Sequence, residues 1–147
     1  MVKMPDEESL PDHIGWRLWQ ANRAWLKAFA EAMRADGHGW FTESRAGLMG
    51  LIPRSGIRQS ALIERTGTTK QAVQQLLDGL EAEGIVERVA DPLDGRGNLV
   101  RYTEKGLRAL RDGDRIKREI EGQYREKIGA ERFDALMDAL RALDAGS

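Results

Sequence analysis

Residues 60–89 read SALIERTGTTKQAVQQLLDGLEAEGIVERV, and the order of patterns in this stretch decides the fold. A short helical pattern over residues 59–65 is followed by a tight turn at residues 66–69 and by a second helical pattern from Lys70 to about Glu83. Thr69 is a natural N-cap for the second helix, and Gly84 is its expected C-terminal stop. Two short helices joined by a glycine-bearing turn predict a helix-turn-helix.

The segment directly after this unit predicts a β-hairpin. Apolar and polar residues alternate over residues 85–90, residues 91–98 have turn composition throughout, and residues 99–102 supply the returning strand. The hairpin therefore has a long tip, in which Arg96 lies between two glycines. A helix-turn-helix followed at once by a hairpin is the order of a winged helix-turn-helix.

A long amphipathic helix is predicted ahead of this unit, from about Ile14 to Gly37. Its apolar residues recur at helical spacing in two neighbouring stripes, a wider apolar face than one partner helix requires. Thr42 caps a short second helix, which should end near Leu51 because Pro53 disfavours helical geometry in the residue before it.

Two further helices are predicted after the hairpin. Thr103 caps a long one, Gly129 interrupts the pattern, and a last helix follows over residues 130–143. We therefore expect a mainly α fold with a small β-hairpin. Its expected parts are a flexible N-terminus (residues 1–10), a winged helix-turn-helix lobe (40–103) and a helical lobe (11–36 and 104–147).

Composition excludes several classes of protein. The chain has no cysteine and only two histidines, so disulfides and cysteine-ligated zinc are excluded, and neither a metal nor a cofactor is expected. No apolar run approaches the ~20 residues of a membrane span, and the first residues lack signal-peptide character, which indicates a cytoplasmic protein. There is no nucleophile beside a base and no phosphate-binding glycine motif, so we expect no catalytic residues and no enzyme activity.

The second helix of the helix-turn-helix presents a polar face opposite its leucines. Glutamine can bind adenine through two hydrogen bonds, and lysine can reach guanine or a phosphate. A solvated polar face without a partner is the alternative for this helix taken alone. The candidate DNA contacts near its N-terminal end are Thr69, Lys70, Gln71, Gln74 and Gln75.

The hairpin tip adds a second candidate DNA contact. Arg96 could enter a narrow minor groove, and Asp94, on the same side of the hairpin, could hold its guanidinium in place. The alternative is a solvated turn with an incidental salt bridge. Charge alone does not favour DNA, because residues 57–101 contain six basic and seven acidic side chains and the whole chain has a net charge of −1.

Four pieces of the sequence together resemble the MarR (multiple antibiotic resistance regulator) family of winged helix-turn-helix regulators. They are the stretch quoted above, Phe41-Thr42 at the head of the second helix, DPLDGR over residues 91–96, and RYTEKG over residues 101–106. The resemblance implies that the helical lobe forms a homodimer and that the dimer binds a palindromic site through recognition helices about 34 Å apart. It also implies a repressor that a small molecule can release from DNA.

Two residues depart from the family pattern. Gly79 lies inside the recognition helix where the family usually has a larger residue, and Gly95 replaces a common second arginine beside Arg96. The wing therefore has less positive charge than usual, and Asn98 is the nearest polar substitute.

The resemblance also places an effector pocket beside the first two helices. Tryptophans with an arginine would suit an aromatic or anionic effector, although tryptophans at helical spacing more often belong to a core or a dimer interface. The candidate pocket residues are Trp16, Arg17, Trp19, Trp40 and Arg45. A winged helix that binds another protein instead of specific DNA remains the alternative function.

Overall fold

The computed structural model describes residues 11–145, so the expected flexible N-terminus lies outside the described residues. In chain order the elements are α1 (Ile14–Ala35), α2 (Glu43–Met49), β1 (Ile57–Arg58), α3 (Gln59–Thr66), α4 (Lys70–Ala82), β2 (Val86–Asp91), β3 (Asp94–Tyr102), α5 (Glu104–Ile128) and α6 (Ala130–Asp144). The predicted mainly α fold with a helix-turn-helix and a hairpin is confirmed. Within residues 11–145, every helix is too short or too polar to cross a bilayer.

The hairpin belongs to a three-stranded antiparallel sheet in the order β1-β3-β2. The third strand, β1, was not predicted, because two residues are too few to show an alternating pattern. It pairs Ile57 with Val100 and Arg58 with Leu99. The predicted long tip is wrong, because β3 begins at Asp94 and pairs there with Asp91 across a register irregularity.

Side-chain caps begin four of the helices. The hydroxyls of Thr42, Thr69 and Thr103 each accept a hydrogen bond from the backbone NH three residues on, at 3.1 Å, as the sequence predicts. His13 caps α1 in the same way through Nδ1, at 3.2 Å from the Trp16 nitrogen.

α2 ends at Met49, earlier than Pro53 alone predicts, and a buried tyrosine contacts the end of the helix and the segment that follows it. The Tyr102 hydroxyl lies 3.0 Å from the Met49 carbonyl oxygen and 3.2 Å from that of Ile52. It therefore offers one donor to these two carbonyls, of which the Met49 oxygen also accepts from the Ile52 nitrogen at 3.1 Å. Burial raises the pKa of Tyr102 above its ordinary value, so the hydroxyl stays a donor at neutral pH.

The hydrophobic core is continuous from the helix-turn-helix to α1 and α5. Its densest part lies between α3, α4 and the sheet and comprises Leu62, Val73, Leu77, Leu80, Ile85, Val86 and Val100. Phe29 and Met33 of α1 extend the same core to Ile116 and Ile120 of α5. The helix-turn-helix and the long helices therefore share one core, and α2 and the sheet connect them.

α5 begins against the start of the hairpin, and Gly106 is what allows this approach. A Cβ atom placed on Gly106 would lie 2.0 Å from the Ile85 carbonyl oxygen, which is closer than any real contact. The same oxygen accepts a hydrogen bond from the Thr103 nitrogen at 3.0 Å. The glycine of the RYTEKG motif thus joins the hairpin to the long helix.

The wide apolar face predicted for α1 is only partly covered in the single chain. Phe29 and Met33 are buried, whereas Ile14, Leu18 and Trp19 at the other end of the helix are exposed. Further exposed apolar side chains lie at the end of α5 and along α6: Ile128, Leu136, Leu140 and Leu143.

Candidate nucleic-acid interface

The turn between α3 and α4 is fixed by its own side chains. The Thr66 hydroxyl donates to the Ile63 carbonyl at 2.7 Å and accepts from the Thr68 nitrogen at 3.2 Å. Gly67 follows with a φ of 64° and ends α3. Thr69 then caps α4, so the start of α4 has a defined position relative to α3.

α4 buries its leucine face and leaves the predicted polar face accessible. Lys70, Gln71 and Gln75 are exposed, and Gln74 is half-buried. Thr69 is also exposed, but its hydroxyl oxygen already accepts the capping hydrogen bond from the Ala72 nitrogen.

A cleft of about 270 Å³ joins the N-terminal end of α4 to the wing, which is the β2–β3 hairpin. It brings together five predicted residues, namely Lys70, Gln74, Asp94, Arg96 and Asn98, and Arg58 of β1 also lines it. Thr69, Gln71 and Gln75 do not line this cleft. The first residues of α4 and the wing arginine therefore face a common space, which an edge of a nucleic acid could occupy.

Asp94 supports the wing differently from the sequence expectation. Its Oδ1 atom accepts a hydrogen bond from the Arg96 backbone nitrogen at 3.1 Å. Within residues 11–145 the Arg96 guanidinium has no hydrogen bond or ion pair. Asp94 thus shapes the turn, and the arginine side chain is left available to a ligand.

The wing depends on a second aspartate that the sequence analysis did not single out. Asp91 is only 4% exposed. Its Oδ2 atom lies 2.8 Å from Arg58 Nε, and its Oδ1 atom accepts from the Leu93 nitrogen at 2.9 Å. The Asp91-Pro92 turn was a visible signal, but the ion pair was hidden because Arg58 lies on the unpredicted strand β1.

An ion-pair cluster ties α4 to the first strand of the wing. Arg88 of β2 forms an ion pair with Asp78, and its Nη2 atom lies 3.1 Å from Glu81 Oε1. The Arg88 backbone nitrogen donates to Glu81 Oε2 at 3.1 Å. Hydrogen bonds from Arg88 lower the pKa of Glu81, and the two carboxylates raise the pKa of Arg88. Helix and wing therefore share a polar connection outside the core.

The five residues expected to line an effector pocket do not come together. Trp16 and Trp19 stack at 5.1 Å near the start of α1, and Arg17 pairs with Asp12 at 2.6 Å. Trp40 precedes α2 and accepts, through its carbonyl oxygen, a hydrogen bond from Arg45 at 2.7 Å.

A mainly apolar cavity of about 160 Å³ lies instead between α1, α2 and α5. None of those five residues lines it. The second apolar stripe of α1 was the available signal, but the stripe alone does not distinguish a cavity wall from a core. The walls of this cavity include Trp25, Phe29, Met33, Phe41, Leu110 and Lys117.

One group of side chains within residues 11–145 has the composition of a cation site. Potential ligand atoms of Asp36, His38 and Asp112 lie within 4.8 Å of one another, and His38 Nε2 is 2.8 Å from Asp112 Oδ2. Asp36, however, already pairs with Arg115 at 2.7 Å. The adjoining cavity is lined by Lys105, Arg108 and Arg111, and this positive charge opposes a cation.

The α3–turn–α4 unit, the wing and the surrounding helices define a winged helix-turn-helix protein. The profile of the MarR family matches residues 42–97. A crystal structure of a probable transcriptional regulator from Pseudomonas aeruginosa is 30% identical with a TM-score of 0.69, and the match covers 90% of this chain and 97% of that one. The chain belongs to the MarR family of transcriptional regulators.

Two further relatives are similar over much of their length. The transcriptional regulator HosA from Escherichia coli is 28% identical over 93 residues, which is 63% of this chain and 69% of HosA. A mutant MarR from E. coli, crystallised in complex with operator DNA, is 19% identical with a TM-score of 0.70, and the match covers 88% of this chain and 92% of that one. At 19% identity, the match to this MarR structure supports a shared fold only.

Proposed function

We propose that this protein is a repressor that acts in the cytoplasm and binds a palindromic operator as a homodimer. The observation that carries the proposal is the cleft in which Lys70 and Gln74 of α4 face Arg96 and Asn98 of the wing. Because α4 and the wing lie on one surface, α4 could enter the major groove of a DNA duplex while the wing enters the adjacent minor groove. The MarR structure with operator DNA supports this use of the fold.

In this proposal the side chains divide the contacts between bases and backbone. The glutamines at 71, 74 and 75 read base edges in the major groove, where paired hydrogen bonds distinguish adenine. Thr69 and Lys70 contact the backbone or a guanine at the start of the helix. Arg96 enters the minor groove, and Asn98 contacts the backbone beside it.

The helical lobe, residues 11–36 and 104–147, forms the dimer. Supporting this, the exposed apolar residues at the start of α1 lie in the same lobe as those at the end of α5 and along α6. A monomer seldom leaves so many large apolar side chains in water, and a second copy would cover them. A two-fold axis through this lobe presents two recognition helices to a palindrome.

The apolar cavity between α1, α2 and α5 is the proposed effector site. It would admit a small aromatic ligand, and Lys117 on its wall could pair with an anionic group. Lys117 Nζ lies 5.4 Å from the Phe29 ring centre, so the cation already faces the apolar wall. Because α2 forms part of the wall, a bound ligand would act on the contact between α2 and α4.

The proposal is tested by anisotropy titration of the full chain against DNA from upstream of its own gene, followed by a genome-wide selection. Specific binding with two subunits per site, weakening steeply as salt rises, is the expected result. Arg96→Glu should abolish binding and leave folding unchanged. If selection yields no preferred site, the repressor assignment fails, and a protein-binding winged helix becomes the better account.

A further inference from the structure

The guanidinium of Arg45 in α2 lies against the recognition helix at Gly79, in its last turn. Its Nη1 atom donates to the Trp40 carbonyl oxygen at 2.7 Å. A Cβ atom placed on Gly79 would be 2.5 Å from Arg45 Nη2 and 3.2 Å from Cζ. An arginine in this position and a side chain at residue 79 therefore exclude each other, which explains why α4 has a glycine inside it.

The contact continues from Trp40 to the long helix α5. The Trp40 ring packs edge-on against His38 at 5.7 Å and against Phe41 at 5.4 Å. His38 in turn reaches Asp112 of α5 through a contact of 2.8 Å. Arg45 is thus the last member of a connected series of contacts between α5 and the last turn of α4.

We propose that Arg45 is a positioning residue for the recognition helix and that Gly79 is the site on α4 that receives it. Arginine suits this role because its planar group can donate to the carbonyl at one edge while its other edge lies against the helix backbone. In the dimer the contact sets how far apart the two copies of α4 stand. The inference rests on the proposed DNA binding and identifies what fixes the spacing of the operator half-sites.

The test compares Gly79→Ala, Arg45→Ala and the double variant with the wild type. A methyl group at 79 displaces the flexible arginine rather than the backbone, so either single change removes the same contact. We expect each to weaken operator binding by about five- to tenfold, the equivalent of one ordinary hydrogen bond. The double variant should bind the operator no more weakly than whichever single variant binds it more weakly.

Gly47→Ala is the matched control. It makes the same glycine-to-alanine change on α2, and a Cβ atom there would have nothing within 4 Å. Its gain in helix propensity should raise the melting temperature by about 3 °C with operator affinity unchanged. Introduced into the wild type, Gly79→Ala should raise the melting temperature only slightly, because the new methyl group displaces Arg45. Introduced into Arg45→Ala, where the arginine is already absent, it should raise the melting temperature as much as Gly47→Ala does.

Half-site spacing separates positioning from simple stabilisation. Operators with one base pair inserted or removed at the centre are titrated against each variant. We expect the wild type to prefer its natural spacing and the two single variants to lose much of that preference. An unchanged preference would overturn the positioning role even if the melting temperatures couple as expected.

If Gly79→Ala raised the melting temperature equally in the wild type and in the Arg45→Ala variant, the contact between Arg45 and Gly79 would be refuted. Failure of the underlying DNA binding is recognised separately, because the wild type would then show no preferred operator at any spacing. The inference would fall with it. A wild type that binds specifically, with a Gly79→Ala variant that binds identically, would overturn the inference alone.

Discussion

Removing the Arg96 side chain should flatten the salt dependence of DNA binding without weakening the fold. Within residues 11–145 its guanidinium has no protein partner, so Arg96→Ala should leave the melting temperature close to that of the wild type. A homodimer carries two wings and would therefore lose two cationic contacts to DNA. The change thus separates an electrostatic loss from a structural one.

The size of the effect follows from counterion release. Each neutralised phosphate contributes about 0.9 to the slope of log affinity against log salt, so two wings contribute about 1.8. Between 50 and 200 mM salt, a fourfold change, the wild type should lose about 12-fold more affinity than the variant. Anisotropy titrations at four or more salt concentrations measure both slopes directly.

Arg108→Ala is the control for net charge. Arg108 is exposed on α5, lines a different cavity, and takes no part in the cleft between α4 and the wing. Its removal changes the charge of the protein equally and should leave the slope unchanged. Equal slopes for Arg96→Ala and the wild type would refute the placement of Arg96 on DNA.

Three other predictions concern the frame that supports the interface. Asp91→Asn should lower the free energy of unfolding by about 1–3 kcal/mol in urea titrations, because a neutral amide replaces the buried carboxylate that pairs with Arg58; an unchanged midpoint would contradict this. Gly106→Ala should destabilise by about 3 kcal/mol through its clash with the Ile85 carbonyl, whereas Gly122→Ala, in open space, should not. Because the pKa of Glu81 is lowered in the fold, its stabilising effect is complete above about pH 4.3 and is lost as pH falls further. In the Glu81→Gln variant, the free energy of unfolding should therefore fall less steeply as the pH is lowered. An unchanged dependence on pH would argue against the ion pair between Glu81 and Arg88.

The sequence predicted those parts of the fold that local chemistry determines. Helical periodicity and threonine caps located the helices, because Thr42, Thr69 and Thr103 each satisfy a nearby backbone NH. Contacts between distant segments were not accessible in this way. Strand β1 is two residues long, and its pairing with β3 becomes visible only when the sheet is assembled.

The candidate site shows the same division. Lys70, Gln74, Arg96 and Asn98 could be placed on one surface from the order of elements alone. The apolar cavity between α1, α2 and α5 could not be predicted, because its walls depend on which stripe of α1 packs against α5. Gly79 was visible as a departure from the family pattern, but its reason lies in an arginine of another helix.

The ion pair between Asp91 and Arg58 also determines where this frame tolerates change. It joins the tip of the wing, where Asp91 pairs with Asp94, to β1, whereas Leu93 in the same turn is 85% exposed and contributes nothing to the core. We therefore expect residue 93 to tolerate substitution, whereas a change at Asp91 should loosen the part of the hairpin that carries Arg96.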